Sequence, residues 1–350
     1  MQRVKNLLLC TLAVLFFCGG ARAEKQIVLT FVGDCTVGCE ETMRYSDESF
    51  AAYAQREGYG YFLAKVKTFF EQDDLTVGNF EGVLKDTPYG AVNKRYCFRG
   101  QPDYTQILTL GSVEAVNLAN NHSGDYGNKG RQTTLDALNA AGIASFGNGN
   151  YYLYEKDGIK IAFCGFWGVG FNKRADMAAQ VRALKAEGAN AVICSLHFGE
   201  EYATYHNSTQ TKVAHAMIDA GADLVVGHHP HVVQGMEEYQ NRSIFYSIGN
   251  FLFGGNAAVR ANESLVPRVT LRFTDDGQYL GQQVTLYPAN ISGDPERNDY
   301  QPRLVTGDAA DAVYARLDKD SAALETDYTQ TDECRTYPFL AAEPSAEAAR

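Results

Sequence analysis

An α/β fold with a largely parallel sheet follows from three observations. Short β-rich runs alternate with helical stretches from Gln26 to about Phe253, and polar residues gather where those runs stop. No repeat of about 20 to 50 residues and no Pro-, Gly- or Ser-rich linker divides the chain, so one large domain is expected over residues 24–307.

In order, QIVLTFVGD (26–34) reads as a strand stopping at Gly33-Asp34, residues 59–72 as a helix, and 75–82 as a strand stopping near Asn79. Residues 95–111 form a turn into a short helix, and 113–127 a strand ending in the polar loop NNHSGDYG. A helix from about Lys129 to Ala141 leads to strand-like runs at 142–149 and 159–168. Then come a helix (175–190), a strand with a polar end (191–202) and an amphipathic helix (208–222). DLVVGHHPHVVQG, from Asp223 to Gly235, is a short core strand that empties through Gly227 into three of the chain's seven histidines. A strand and loop follow at 242–254, then an antiparallel hairpin, 265–277 with 278–291, joined near Asp275-Asp276-Gly277. The segment 308–350 is Ala- and acid-rich with a weak helical pattern, and AAEPSAEAAR at its end reads as a disordered tail.

Residues 1–23 place Arg3 and Lys5 before an apolar run from Leu7 to Phe17 that ends near Ala21-Arg22-Ala23. This reads as a cleaved signal peptide, because a membrane span needs about 20 apolar residues. The protein is therefore expected outside the cytoplasm, in the periplasm or at the cell surface. Lipid attachment at Cys18 is disfavoured by Phe16 and Phe17, where small residues are expected. Cleavage removes three basic residues and no acid, so the formal charge moves from −11 to −14. Such a surface argues against nucleic acid as a partner, and an anionic substrate then needs a local positive centre, which a metal supplies. Of the six remaining cysteines, Cys164 and Cys194 sit in apolar runs as small core residues, whereas Cys35, Cys39 and Cys97 lie in loop-like segments where a bridge is permitted.

The unusual residues fall at five strand ends: Asp34; Asn79 and Glu81; Asn121, His122 and Asp125; His197; and His228, His229 and His231. Parallel strands bring such ends to one edge. Carboxylate, amide oxygen and imidazole without thiolate suit a divalent ion, and the H-x-H pair can place both imidazoles on one ion or one on each of two. His206, in a loop, and His215, within a helix, are expected to be structural or surface residues.

The blocks FVGD, GNFEG, FRGQP, NLANNHSGDYG, SLHFGEEY, VVGHHPHVVQG and YSIGNF resemble, in order and spacing, the CapA family of bacterial capsule (poly-γ-glutamate) synthesis proteins, over roughly Gln26 to Phe253. That family looks like a branch of the calcineurin-like metallophosphoesterases. The resemblance implies a four-layer αββα sandwich and one or two divalent ions, with Mn, Zn, Fe and Mg all compatible. It implies ligand roles for Asp34, Glu81, Asn121, His197, His229 and His231. By the same resemblance, His122 is the candidate general acid, and Asp125 is carried with it as a catalytic candidate. The D-x-H of the superfamily is here Asp34-Cys35-Thr36, which lacks one histidine, and Asn79 stands where an Asp is usual.

The expected function is metal-dependent hydrolysis or transfer on an anionic substrate, either a γ-glutamyl polymer or a phosphoester. Arg99 is the candidate contact for the substrate anion. Asn79, Glu201, Tyr202, His228 and Asn250 are expected to support the ligands or touch substrate. The rival reading is a non-catalytic binding or scaffold subunit of a membrane-bound capsule synthesis and export complex. A periplasmic nucleotidase ranks last, since no aromatic clamp or second substrate domain is visible; Trp167 is taken as a packing residue at a strand end.

Overall fold

A computed structural model describes residues 24–168, 173–321 and 327–342. The signal peptide read in residues 1–23 and all but the first two residues of the expected tail lie outside them. The strands that position the site are, in chain order, β1 (Glu24–Thr36), β2 (Leu75–Phe80), β3 (Ala115–Asn117), β4 (Ala144–Phe146), β5 (Tyr151–Lys156), β6 (Ile159–Trp167), β7 (Ala191–His197), β8 (Leu224–His228), β9 (Met236–Tyr239), β10 (Arg242–Phe245), β11 (Asn250–Phe253), β12 (Glu263–Thr274) and β13 (Tyr279–Asn290). The principal helices are α1 (Phe50–Glu57), α2 (Thr105–Leu110), α3 (Gly127–Ala140), α4 (Arg174–Ala186), α5 (Ser208–Asp219) and α6 (Asp308–Asp320).

Two sheets form. The first runs β13-β12-β1-β2-β3-β4, with β11 also paired to β1, and the second runs β9-β10-β8-β7-β6-β5. Within them β1 to β4 are parallel, as are β6, β7, β8 and β10. The hairpin β12–β13 and the outer strands β5 and β9 are antiparallel, so the largely parallel sheet expected from the alternation is two mixed ones.

The sheets face each other across one core that joins Ile27, Leu29 and Phe31 of β1 to Phe163, Ile193 and Val226 of the second sheet. On the outer face of the first sheet, Phe50, Ile107 and Leu138 of α1, α2 and α3 pack against Val32 and Val116. On the outer face of the second, Val181 of α4 and Val213 of α5 cover Cys164, Cys194 and Val225. This is a four-layer αββα sandwich. Strands covered on both faces must be apolar throughout, and every residue of β7 and β8 is buried. Helix α5 starts at a capping box in which Asn207 and Gln210 satisfy each other's backbone N–H groups.

Register delivers the site. Asn250, Asp34, Asn79 and Asn117 are successive partners across β11, β1, β2 and β3, and Trp167, His197 and His228 across β6, β7 and β8. Two polar rows thus face one edge of the sandwich.

Several expectations change. Residues 59–72 are not one helix but a 3-10 turn (Tyr59–Tyr61) and a short turn of helix (Lys67–Phe70), with Phe62, Leu63, Val66 and Phe70 all buried. Gly60 within the run and Gly58, at φ 78° just before it, favour a turn over a continuous helix. The regular helix lies just before, as α1, opened by Ser49 accepting from the Ala52 N–H. Cys35, Cys39 and Cys97 are free thiols rather than a bridge: Cys35 and Cys39 are buried in the core, while the Cys97 thiol contacts the Val92 carbonyl nearer the surface. Trp167, at the end of β6, is 40% exposed. The helix expected after Gly307 is α6, whose Ala310, Val313, Tyr314 and Leu317 enter the inter-sheet core. Among the described residues no helix is long and apolar enough to cross a membrane.

Candidate metal centre

Asp34 sits where β1 passes between β2 and β11, fully buried. Its Oδ1 accepts from Asn79 Nδ2 at 2.8 Å, and its Oδ2 lies 3.1 Å from His231 Nδ1 and accepts weakly from the His229 N–H at 3.3 Å. Burial alone would raise this carboxyl. The hydrogen bond and charge of His231, with His228 and His197 behind it, outweigh burial and hold it well below the usual carboxylate range.

Asn79 is fastened on both sides. Its amide nitrogen also faces His197 Nδ1 at 3.2 Å, and its oxygen accepts from Asn117 Nδ2 at 2.9 Å. A side chain at Gly165 would strike the Asn117 amide at 2.0 Å, which is why glycine stands there. Asn120 reaches the Phe80 carbonyl at 2.7 Å and clamps the start of the NNH loop to β2.

Glu81 stands out in this network. Both carboxylate oxygens are buried without a hydrogen-bond partner. Oε1 lies 3.6 Å from His197 Nε2 and 3.9 Å from His122 Nε2, and Oε2 lies 3.9 Å from His231 Nδ1. Burial, with Asp34 adding to it against the pull of His231, pushes Glu81 up to about 8. A buried carboxylate with two orphaned oxygens and imidazoles just beyond contact is the donor set of a cation site. Glu81, His229 and His231 present ligand atoms all within 4.8 Å of one another and form a candidate metal triad.

The histidine loop is bent to serve it. His229 and His231 adopt φ of 100° and 59° on either side of Pro230, a region that costs a non-glycine residue about 1–3 kcal/mol. The neighbouring loop holds this turn, since the Tyr202 N–H donates to the Pro230 carbonyl at 2.7 Å and the Phe198 N–H to that of His228 at 3.0 Å. His231 Nδ1 also meets Asn250 Oδ1 at 2.9 Å. Burial alone would lower His231, but Glu81 and Asp34 together raise it to about 9. His228 is pushed down to about 4 by burial against the pull of Asp34, and burial also lowers His197 and His229.

His122 stands across from Glu81. Its Nδ1 is 2.7 Å from Asp125 Oδ2 and 3.0 Å from Lys94 Nζ, and its Nε2 faces the cluster. Asp125 is held by the Phe98 N–H at 2.7 Å and Lys94 Nζ at 3.0 Å, so it positions the ring rather than facing a substrate. The Phe98 ring backs the imidazole at 4.3 Å. Burial lowers the His122 pKa against the pull of Asp125.

The fold thus brings Asp34, Glu81, Asn121, His197, His229 and His231 to one place; Asn121 Oδ1 lies 2.7 Å from His197 Nε2. Glu201 and Tyr202 line the adjoining cleft with His122 and His231. Arg99 is not in it. The Arg99 guanidinium is buried against Glu41 at 2.6 and 3.1 Å and against the Lys85 carbonyl at 2.7 Å, so the expected contact with a substrate anion is replaced by an internal ion pair. Sequence reasoning missed Asn117 and Asn120, although the density of Asn in NLANNH was visible. It also missed Lys94, which ties the Asn121 carbonyl to Asp125. His206 and His215 are structural, stacked on Tyr246 and Tyr239.

The family described as bacterial capsule synthesis protein PGA_cap matches residues 28–255 of the chain. The chain is 29% identical over 330 residues to the "Capsule biosynthesis protein CapA" of Bacillus anthracis, covering 86% of this chain and 75% of that protein. It is 29% identical over 313 residues to the "PGA biosynthesis protein CapA" of Bacillus subtilis, covering 82% and 80%. A "Probable polyglutamine synthesis accessory protein" of Mycobacterium tuberculosis is 28% identical over 230 residues, covering 55% of this chain and 60% of that one.

Proposed function

Because the chain belongs to the bacterial capsule synthesis protein family PGA_cap, we propose that it is a metal-dependent hydrolase or transferase acting on an anionic envelope polymer, a γ-glutamyl chain above all. The observation that carries this reading is the Glu81 carboxylate, buried with both oxygens unpartnered among imidazoles. Asp34, Glu81, Asn121, His197, His229 and His231 would hold the ion. When bound, a divalent ion supplies Lewis acidity and lowers the pKa of water.

The chain's own residues do the rest. His122 exchanges a proton at Nε2, and Asp125 positions its ring and stabilises the imidazolium once formed. Asn79 holds Asp34 and His197 in register, and Tyr202 and Glu201 shape the cleft beside them. The export signal read in residues 1–23 would set this site outside the cytoplasm, where a finished polymer is met.

Incubating the metal-loaded protein with poly-γ-glutamate and with an aryl phosphoester tests the reading. Turnover of the first is expected, and His122→Ala should lower kcat by about 10²- to 10⁴-fold at unchanged metal content. Turnover of neither compound sinks the catalytic reading. A scaffold role is the second reading, favoured by the neutral Asn79 and by Thr36 in the first block, whose buried hydroxyl has no partner. It wins if His122→Ala and His229→Ala both keep full function in cells.

A further inference from the structure

The cleft beside the candidate metal centre has a volume of about 600 Å³, large enough for a ligand of several residues' bulk, and His122, His231, Tyr202 and Arg260 are among its walls. Arg260 is its one Lys or Arg, in a chain whose charge is strongly negative. It stands in the loop between β11 and β12, exposed, with its guanidinium 3.4 Å above the Tyr202 ring. No carboxylate among the described residues pairs with it, although Glu201 lines the same cleft. The guanidinium is therefore stacked, not neutralised.

Tyr202 is itself held firmly. Its φ is 61°, its N–H donates to the Pro230 carbonyl at 2.7 Å, and its ring lies 5.9 Å from that of His231. A line of ring contacts, His231 to Tyr202 to Arg260, thus runs outward from the centre. A guanidinium seated on an aromatic face keeps its in-plane N–H edge free, and that edge matches an oxyanion bidentately. Other cations near the site offer this less well: Arg99 is buried against Glu41, Lys94 is spent on Asp125, the Asn121 carbonyl and His122, and Arg95 sits 4.9 Å over the cleft-lining Tyr96, farther than Arg260 from its ring.

We propose that Arg260, seated on Tyr202, is the residue that takes the substrate's oxyanion, the free α-carboxylate of a γ-linked glutamyl chain, and so sets which anionic polymer enters the cleft. The proposal rests on the function proposed above, whose substrate class it narrows.

The test is the equilibrium binding of a γ-linked glutamate oligomer and, separately, of phenyl phosphate to the full chain with and without metal. The wild type, Arg260→Ala, Arg260→Lys and Arg182→Ala are compared, the last removing an exposed charge from α4. Arg260→Ala should weaken oligomer binding about 10- to 100-fold, Arg260→Lys less, and Arg182→Ala less than about twofold, with metal content unchanged throughout. Equal binding by Arg260→Ala and wild type overturns the proposal, as does an equal loss in Arg182→Ala or no binding of either probe by the wild type. Arg260-dependent binding of phenyl phosphate alone overturns the carboxylate assignment. Arg260-dependent oligomer binding by a protein that takes up no metal supports Arg260 and contradicts the metal-dependent reaction, so the two failures are distinguishable.

Discussion

At Asn79 a neutral amide stands beside Asp34 and donates its Nδ2 N–H to that carboxylate, which His231 above all holds ionised in a fully buried site. Asn79→Asp would put two carboxylates at that 2.8 Å contact. It should lower the melting temperature of the metal-free protein and tighten divalent metal binding, opposite signs that calorimetry reads on one sample. Glu81 and His231 give the site a pH dependence. Metal uptake needs Glu81 ionised and His231 neutral, yet burial lifts Glu81 to about 8, and the two carboxylates lift His231 to about 9. Both groups are therefore protonated at neutral pH without metal, so uptake releases protons. Apparent affinity should rise from pH 7 to about 9 and level off above it; titration in two buffers of different ionisation enthalpy would show the release, and a flat profile would contradict this charge state. Asp34, Glu81 and the histidines were legible because metal ligands are unusual residues at strand ends. Asn117, Asn120 and Arg260 were not, because a hydrogen-bonding amide or a loop arginine has the same local sequence whether or not the fold puts it to use.

Among the elements, α6 does more than close the chain. Its apolar face joins the inter-sheet core, and the buried Asp320 carboxylate at its end accepts from the His206 N–H at 2.9 Å and the Gly235 N–H at 2.8 Å. It also meets His206 Nδ1 at 2.9 Å. Gly235 follows the strained His229-Pro230-His231 turn in the chain. Asp320→Ala should cost about 2–3 kcal/mol, whereas Asp318→Ala, which removes a half-exposed pair with Arg335, should cost under about 1 kcal/mol. Thermal unfolding of the two variants checks the difference, and equal losses would remove the special role of Asp320. The hairpin β12–β13 and the strands were readable because period-two patterning and turn residues report local structure directly. The break-up of 59–72 was not, since which of its aromatic faces is buried depends on the helices and sheet around it.

For the whole molecule, the acidic surface and the two polar rows at one sandwich edge belong together. A negatively charged chain meets an anionic substrate only where positive charge is concentrated, at the candidate metal centre and at Arg260 beside it. The α/β class was legible from the alternation of elements, but the division into two facing sheets came only from a resemblance, because strand order is set by contacts distant in sequence. Elemental analysis of the full chain purified without chelator, beside Glu81→Gln and His231→Ala, tests the metal claim most directly. One or two divalent ions per chain are expected in the wild type and a loss of about tenfold or more in each variant. A wild type without bound metal that takes none up on titration, or variants that keep the full complement, would contradict it.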